Sequence, residues 1–301
     1  MGNYIDLHIH SIYSDDGEFS PAELVRQCKE AGLRIIAVTD HNCVRGNAEA
    51  QREAERFNIL YIPAVEIDCT CNGKNFHVIG YQIDYTSDDF KRIEQNILKQ
   101  ELIASKERLK FTNQLGFHIT EDELNALPKG EFGNVWTGEM FAEILLGKSE
   151  YNDNELLHPY RKGGLRSDNP LVNFYWDFYA QGKPCYAKIK YPDLEDTVSL
   201  IHRNGGKAVL AHPGINLNGN YSMLDDIIAC GIDGIEAFSS YHDESVSHYF
   251  YDVARKNNLI VTCGSDYHGK TKPSVKLGSM NYSINENDIS LILNIKTVYP
   301  L

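Results

Sequence analysis

Nine acidic and imidazole side chains fall in short clusters along this chain: His8, His10, Asp15, His41, Glu66, His77, His212, Asp266 and His268. Imidazole and carboxylate donors without thiolates suit zinc, manganese or iron. One ion uses roughly four to six such donors, so this set reads as a centre for two or three divalent metals. Glu66 is the natural bridge, because a carboxylate shared by two cations holds them about 3.5–4 Å apart, as two-metal hydrolysis requires.

These residues need elements that carry them to one place. Each cluster follows a run of apolar, β-favouring residues: Tyr4 to Leu7 before His8, Ile35 to Thr39 before Asp40-His41, Leu60 to Val65 before Glu66, Ala208 to Ala211 before His212, and Ile260 to Gly264 before Asp266. Asn72-Gly73 is a hairpin turn signal, and Phe76 to Tyr81 reads as the returning strand that carries His77. Between the strands lie helical stretches. Ser20-Pro21-Ala22-Glu23 carries the cap, the first-position proline and the acid of a helix start, and Gly32 is placed to end that helix. A second helix is predicted from near Gly46 to Phe57. Strands that alternate with helices and end in polar residues predict an α/β enzyme of barrel type.

The alternation lapses from about Asp88 to Phe178. Ile93, Ile97, Leu98, Leu102, Leu109 and Leu115 predict a long amphipathic helix, with shorter ones at Glu121 to Leu127 and Thr137 to Leu146. A strand is predicted at Pro184 to Ala187. Alternation resumes near Leu194. The expected organisation is therefore a barrel from residues 1–86 and 187–301, with a mainly helical insertion at 87–186.

Composition narrows the function. The chain has 301 residues, enough for one α/β barrel with an insertion, and its 42% hydrophobic and 24% charged content is that of an ordinary globular protein. Its 29 basic against 42 acidic residues give a formal charge of −13, which argues against coating long nucleic acid. Such a charge does not oppose a small phosphorylated substrate, since bound cations reverse the local sign. No apolar run approaches transmembrane length and the first residues do not read as a secretory signal. A cytoplasmic protein with reduced thiols is expected, with neither a membrane nor an obligatory protein partner. Cys69-x-Cys71 resembles half of a zinc knuckle but lacks a second thiol pair at suitable spacing.

Each motif also has a plainer reading. His8-x-His10 alone is as well read as two surface histidines, but on a strand both rings project to one side and can chelate one ion. Six of the 11 histidines fall in the strand-end clusters. For His118, His158, His202 and His248 a structural or surface role is the default. His242 follows a strand closely enough to reach the mouth. Asp40 is placed to orient an imidazole through its other nitrogen. Glu236 is either a substrate ligand, a support for the site or a strand-end acid. A phosphate ester also needs cationic donors for its spare oxygens. Arg161, Lys162 and Arg166 in a glycine-containing loop, with Lys188 and Lys190, are the candidates, Arg161, Arg166 and Lys188 foremost; solvated surface cations are the alternative.

The segments Asp6-Leu7-His8-Ile9-His10-Ser11, Ser14-Asp15, Thr39-Asp40-His41, Glu66, His77, Ala211-His212-Pro213 and Ser265-Asp266-Tyr267-His268 together resemble the motifs of the PHP (polymerase and histidinol phosphatase) family. The match runs in order from Tyr4 to His268. The long helical insertion resembles the branch of small-nucleotide and sugar phosphoesterases. The resemblance implies a distorted (β/α)7 TIM-like barrel and up to three metals. One ion would take His8, His10, Glu66 and Asp266; a second Glu66, His77 and His212; a third Asp15, His41 and His268. This chain has Asp15-Asp16-Gly17 where the family usually has a single Asp before Gly. Counting from His8 favours Asp15, with Asp16 the other option.

The activity implied is hydrolysis of a small phosphorylated nucleotide or sugar, either a phosphomonoester or a cyclic phosphodiester. A water activated between the metals would attack phosphorus. Glu66, His212, Asp266 and His268 are the residues expected to carry turnover. The alternatives are a 5'-3' exonuclease on short oligonucleotides, a metal-dependent amidohydrolase, in which a lysine often takes the bridging place held here by Glu66, and a non-catalytic module.

Overall fold

The computed structural model describes residues 3–127 and 135–280. The first three strands, β1 (Ile5–Ile9), β2 (Ile35–Val38) and β3 (Leu60–Tyr61), form a parallel sheet in that order, joined by helices α1 (Pro21–Glu30) and α2 (Asn47–Arg56). Ser20 caps α1 by accepting from the Glu23 amide, with Pro21 in the first turn as expected.

The predicted strand before Glu66 divides in two. Ile62-Pro63 interrupts it, because proline has no amide to donate to the ladder. β3 stays in the first sheet, and β4 (Ala64–Cys71) opens a second one. Glu66 therefore lies inside a strand, not beyond its end. β4 and β5 (Lys74–Tyr81) form the expected hairpin at Asn72-Gly73. β5 also runs antiparallel to β6 (Lys207–Leu210), which continues in parallel to β7 (Gly234–Ser239) and β8 (Ile260–Gly264).

The two sheets are stitched at both seams. On one side the Asn42 amide donates to Glu66 O (2.7 Å) and the Glu66 amide to Asp40 O (3.2 Å). On the other, the Asp266 amide donates to His8 O (2.8 Å) and the His10 amide to Tyr267 O (2.9 Å). These seams bring the ends of β1, β2 and β8 and the body of β4 to one mouth. The sheets enclose Leu7, Ile67, Ile79, Val209, Ile235 and Val261, all buried. Helices α7 (Leu194–Arg203), α8 (Pro213–Leu217), α9 (Leu224–Ala229) and α10 (Glu244–Lys256) link the later strands.

Helices α3 (Asp88–Gln114), α4 (Glu121–Ala126), α5 (Gly138–Gly147) and α6 (Pro170–Phe178) form the segment between β5 and α7. They share a core of their own around Phe117, Trp136, Phe141, Leu145, Phe174 and Tyr179. The buried face of α3 differs from the apolar stripe expected. Leu102 is 40% exposed, whereas Glu101 and Arg108 are buried. Their ion pair (2.6 Å), with Arg108 also donating to Trp136 O, replaces apolar packing there. Pro184 to Ala187 forms a turn and not a strand: the Cys185 amide returns to Phe178 O, and Cys185 joins the helical core. None of the seven cysteines forms a disulfide. Among the described residues no helix is long and apolar enough to cross a membrane.

Candidate metal centre

β1 alternates, so His8 and His10 project to the same side, as expected. His8 Nε2 lies 3.2 Å from Glu66 Oε2 and 3.3 Å from Asp266 Oδ1; His10 Nε2 lies 3.3 and 3.2 Å from the same two oxygens. Donors bound at about 2.1 Å on a shared ion sit roughly 3.0–3.4 Å apart. Four ligand atoms at this spacing form one group, His8, His10, Glu66 and Asp266.

The two oxygens of Glu66 look in different directions. Oε2 faces His8, His10 and His41 Nδ1 (3.2 Å), while Oε1 faces His77 Nδ1 and His212 Nε2, each at 3.0 Å. A carboxylate so placed can serve two ions. Glu66, His41 and His77 form a second group, with His212 reaching the same Glu66 oxygen as His77. The family resemblance implied His77 and His212 for this ion, without His41.

The third group is His10, Asp16, His41 and His268. Asp16 replaces Asp15. The chain turns tightly after β1, with the Ser14 amide on Ser11 O (2.9 Å). Gly17 packs so closely on that turn that a β-carbon there would meet Ser11 O at 1.9 Å. The turn swings Asp16 inward, its Oδ2 3.1 Å from His268 Nε2, and leaves Asp15 exposed. Counting along an extended strand misses this turn.

His8 Nε2, His10 Nε2, His41 Nδ1, His268 Nε2, Asp16 Oδ1 and Glu66 Oε2 are all buried without a hydrogen-bond partner. Orphaned lone pairs of this kind carry a heavy desolvation cost unless something else satisfies them. Converging on one space and free of sulfur, they fit divalent zinc, manganese or iron. Burial opposes ionisation of Glu66, yet His8, His41 and His77 hold its carboxyl well below the usual range. Burial pushes His41 down to about 4, so near neutral pH its ring is uncharged and able to ligate, and the lowering of Glu66 there falls to His8 and His77.

A ring of supports fixes these ligands. His10 Nδ1 pairs with Ser14 Oγ (2.8 Å), and His212 Nδ1 with Asn216 Oδ1 (2.6 Å). Asp68 holds the far nitrogen of His77 (3.0 Å) and accepts from Asn42 (2.7 Å). Asp40, expected against an imidazole, instead accepts from the Ser11 amide and hydroxyl and from Ser14 Oγ. Its influence on His10 passes through Ser14. Asp266 Oδ2 accepts from Tyr241 (2.7 Å) and pairs with Lys272, so only Oδ1 faces the imidazoles. His212 (φ 25°) and Asp266 (φ 57°) both occupy left-handed backbone that non-glycine residues rarely adopt.

The structure also shows where the remaining candidates lie. Of the readings open for Glu236, its contacts favour support of the site: it is fully buried, with Oε1 on His8 Nδ1 (3.0 Å) and Oε2 accepting from the His212 amide (2.7 Å). Gly264 leaves room for this pair, since a β-carbon there would meet that of His8 at 2.1 Å. Arg161 donates to Leu146 O and Tyr151 O, and Arg166 pairs with Asp177; these contacts organise the helical segment itself. Lys188 is exposed. None of the three joins the imidazole cluster. His242 does not face the mouth. It is buried, accepts from the Gly214 amide through Nε2 and pairs with Ala237 O through Nδ1, which fixes it as a neutral tautomer. Asp68, Asn216, Tyr241 and Lys272 escaped the sequence reading, and Ser14 entered it only as a neighbour of Asp15. Only Asp68 left a signal, two residues beyond Glu66 on the same strand face.

Three groups of donors predict more than one bound ion per chain. Elemental analysis of gently purified protein is expected to show more than one equivalent of manganese, iron or zinc. At most one tightly held ion, with no activity gained on adding Mn²⁺, would reject a multinuclear centre.

Comparison with known proteins agrees with this geometry. The PHP domain model matches residues 6–158. A phosphoribosyl 1,2-cyclic phosphate 1,2-diphosphodiesterase of Eggerthella lenta is 27% identical over 267 residues, covering 88% of this chain and 94% of that protein. A 5'-3' exoribonuclease of Haemophilus influenzae is 28% identical, covering 89% and 91%. A 3',5'-nucleoside bisphosphate phosphatase of Chromobacterium violaceum is 28% identical, covering 88% and 87%. With the motif residues gathered at one mouth and the family model spanning half of its length, the chain belongs to the PHP domain family.

Proposed function

We propose that this chain hydrolyses a phosphate ester of a small nucleotide or sugar, either a terminal monoester or a cyclic diester, at the cluster around Glu66. It is a metal-dependent phosphoesterase of the PHP family. The observation that carries the reading is Glu66 itself, one buried carboxylate facing two sets of imidazoles through its two oxygens. We read the two stitched sheets as a distorted barrel with this cluster at its mouth, and residues 87–186 as an inserted helical unit. We assign the protein to the cytoplasm.

Two or three divalent ions, when bound, supply a nucleophile from water near neutral pH and polarise the phosphoryl oxygens. The chain's residues do the holding. Glu66 spans two sites. Asp266 offers one oxygen because Lys272 and Tyr241 engage the other. Glu236 locks His8 against β7, and Asn216 orients His212. Asp16, His41 and His268 would hold a third ion together with His10. The relatives in the sugar cyclic phosphate and nucleoside bisphosphate classes support the substrate class.

The exoribonuclease relative supports a second reading, removal of nucleotides from short strands. Chain length separates the two. With 42 acidic against 29 basic residues, a long polyanion gains little from counterion release. At fixed salt, kcat/KM is expected to be highest for nucleoside bisphosphates or cyclic sugar phosphates and to fall as single strands lengthen. A steady rise with strand length would establish the exonuclease reading instead.

A further inference from the structure

We propose that Lys272 binds an oxygen of the phosphoryl group beside the metal cluster. The inference rests on the phosphoesterase reading above and names the cation that this reading lacks. A phosphate ester entering this mouth meets Asp16, Glu66 and Asp266, and its spare oxygens need cationic donors. Arg161, Arg166 and Lys188 do not supply one at the cluster. Among the described residues only two lysines or arginines are buried, Arg108 and Lys272. Both terminal nitrogens of Arg108 are engaged, by Glu101 and Trp136 O. Lys272, 5% exposed, touches the cluster directly. Its Nζ pairs with Asp266 Oδ2, while Asp266 Oδ1 lies 3.3 Å from His8 Nε2 and 3.2 Å from His10 Nε2. One carboxylate thus separates the ammonium from the donors of the first group.

The local chain brings it there. β8 ends at Gly264, and His268 is followed by a short 3₁₀ turn at Gly269–Thr271. The Lys272 amide closes that turn on Gly269 O (3.1 Å). Thr271 Oγ1 donates to Asp16 O (2.7 Å) and the Lys270 amide to Glu18 (2.6 Å), which pins the turn to the loop carrying Asp16. Just beyond, the Ser274 amide donates to Asn169 Oδ1 (3.0 Å), next to the start of α6. Lys272 therefore stands where the loops at the mouth meet the helical segment. Lys270, on the same turn, is exposed and pairs with Glu143 (2.9 Å) instead.

An ammonium carries three N–H donors. Asp266 Oδ2 and the Tyr241 hydroxyl offer it one oxygen each, which leaves at least one donor for an anion. Tyr241 fixes the arrangement. Its hydroxyl donates to the same Oδ2 (2.7 Å), its ring centre lies 5.3 Å from Lys272 Nζ, and its ring meets that of His212 edge-on at 5.7 Å. The ammonium is balanced by Asp266 only until that carboxylate also serves a cation. With its charge so shared, the lysine and the ion together present excess positive charge to one anion. Lysine binds phosphate as a point charge and needs no fork geometry, so a single free N–H suffices.

Lys272→Met removes the charge and keeps the apolar stem. In protein saturated with Mn²⁺, titration calorimetry with inorganic phosphate should show affinity at least about tenfold weaker than in the unaltered protein. The kcat/KM for a nucleoside 3',5'-bisphosphate or a cyclic sugar phosphate should fall at least as far, with metal equivalents unchanged. Lys272→Arg, which keeps the charge, should recover most of both. Unchanged phosphate affinity in Lys272→Met would overturn the assignment. So would a loss of metal after which excess Mn²⁺ restores phosphate affinity and kcat/KM, since Lys272 would then only position Asp266. If Lys272→Met fails to fold, Lys272→Gln serves: its amide can still donate to Asp266, phosphate affinity should fall all the same, and unaltered affinity overturns the role. Ester hydrolysis with equal phosphate affinity in both proteins rejects Lys272 alone. An unaltered protein that hydrolyses no phosphate ester rejects the phosphoesterase reading and the proposal with it.

Discussion

Glu66→Gln is expected to lower kcat by at least about 100-fold in a protein that keeps its fold. The amide preserves the shape of the Glu66 side chain in β4 but removes the charge that two cations would share. One of its ends becomes an NH₂ group, which cannot ligate and which points at the imidazoles of one ion. That ion should be lost or weakened while the neighbouring group of donors stays largely intact. Far-ultraviolet circular dichroism should be unchanged, and elemental analysis should show fewer metal equivalents than in the unaltered protein. A variant with normal kcat and full metal content would mean that Glu66 bridges nothing.

The adjacent acids should separate just as sharply. Asp16→Asn is expected to cost about 100-fold in kcat/KM at limiting Mn²⁺, because Asp16 reaches His268 at 3.1 Å and carries a buried, unpartnered oxygen. Asp15→Asn should leave activity nearly unchanged, as an exposed side chain outside the donor groups. Titration of Mn²⁺ into each apo-protein gives a readout independent of turnover: the third and weakest phase should vanish in Asp16→Asn and persist in Asp15→Asn. The reverse pattern would return the ligand role to Asp15 and show that the turn at Ser11–Ser14 opens on metal binding.

The supports are chemically quieter but equally specific. Glu236, Asp68, Ser14 and Asn216 each contact an imidazole through an atom that does not face the cluster centre. Ligands held in this way need little reorganisation when an ion binds, so affinity is gained without new contacts. The left-handed backbone at His212 and Asp266 belongs to the same design. Each sits where a strand ends at the mouth, and the unusual φ turns the side chain back over the sheet.

Much of the centre was legible in the sequence. The types His, Asp and Glu without Cys specify hard-to-borderline cations, and the two-residue spacing in His8-x-His10 fixes both rings on one side of a strand. Apolar runs place His10, His41, His212, Asp266 and His268 just past strand ends, whereas His8, Glu66 and His77 lie within strands. These properties are local, carried by a few consecutive residues, and so survive without knowledge of the fold. Eight of the nine expected residues lie in one cluster, and of the two adjacent acids left open it is Asp16 that turns into it.

What tertiary structure decided is what depends on partners distant in sequence. Asp16 displaced Asp15 because Gly17 packs on Ser11 and closes a turn that residue spacing does not reveal. Which of the open readings Glu236 follows depends on β7 lying between β6 and β8, which brings its carboxylate to His8 and to the His212 amide. Arg161 and Arg166 found carbonyls and Asp177 within their own segment, where long flexible cations satisfy nearby acceptors before distant ones. Lys272 reaches Asp266 from a segment whose sequence carries no period or motif to mark it. Burial and the charges around a group are sums over the whole fold, and no stretch of chain contains them.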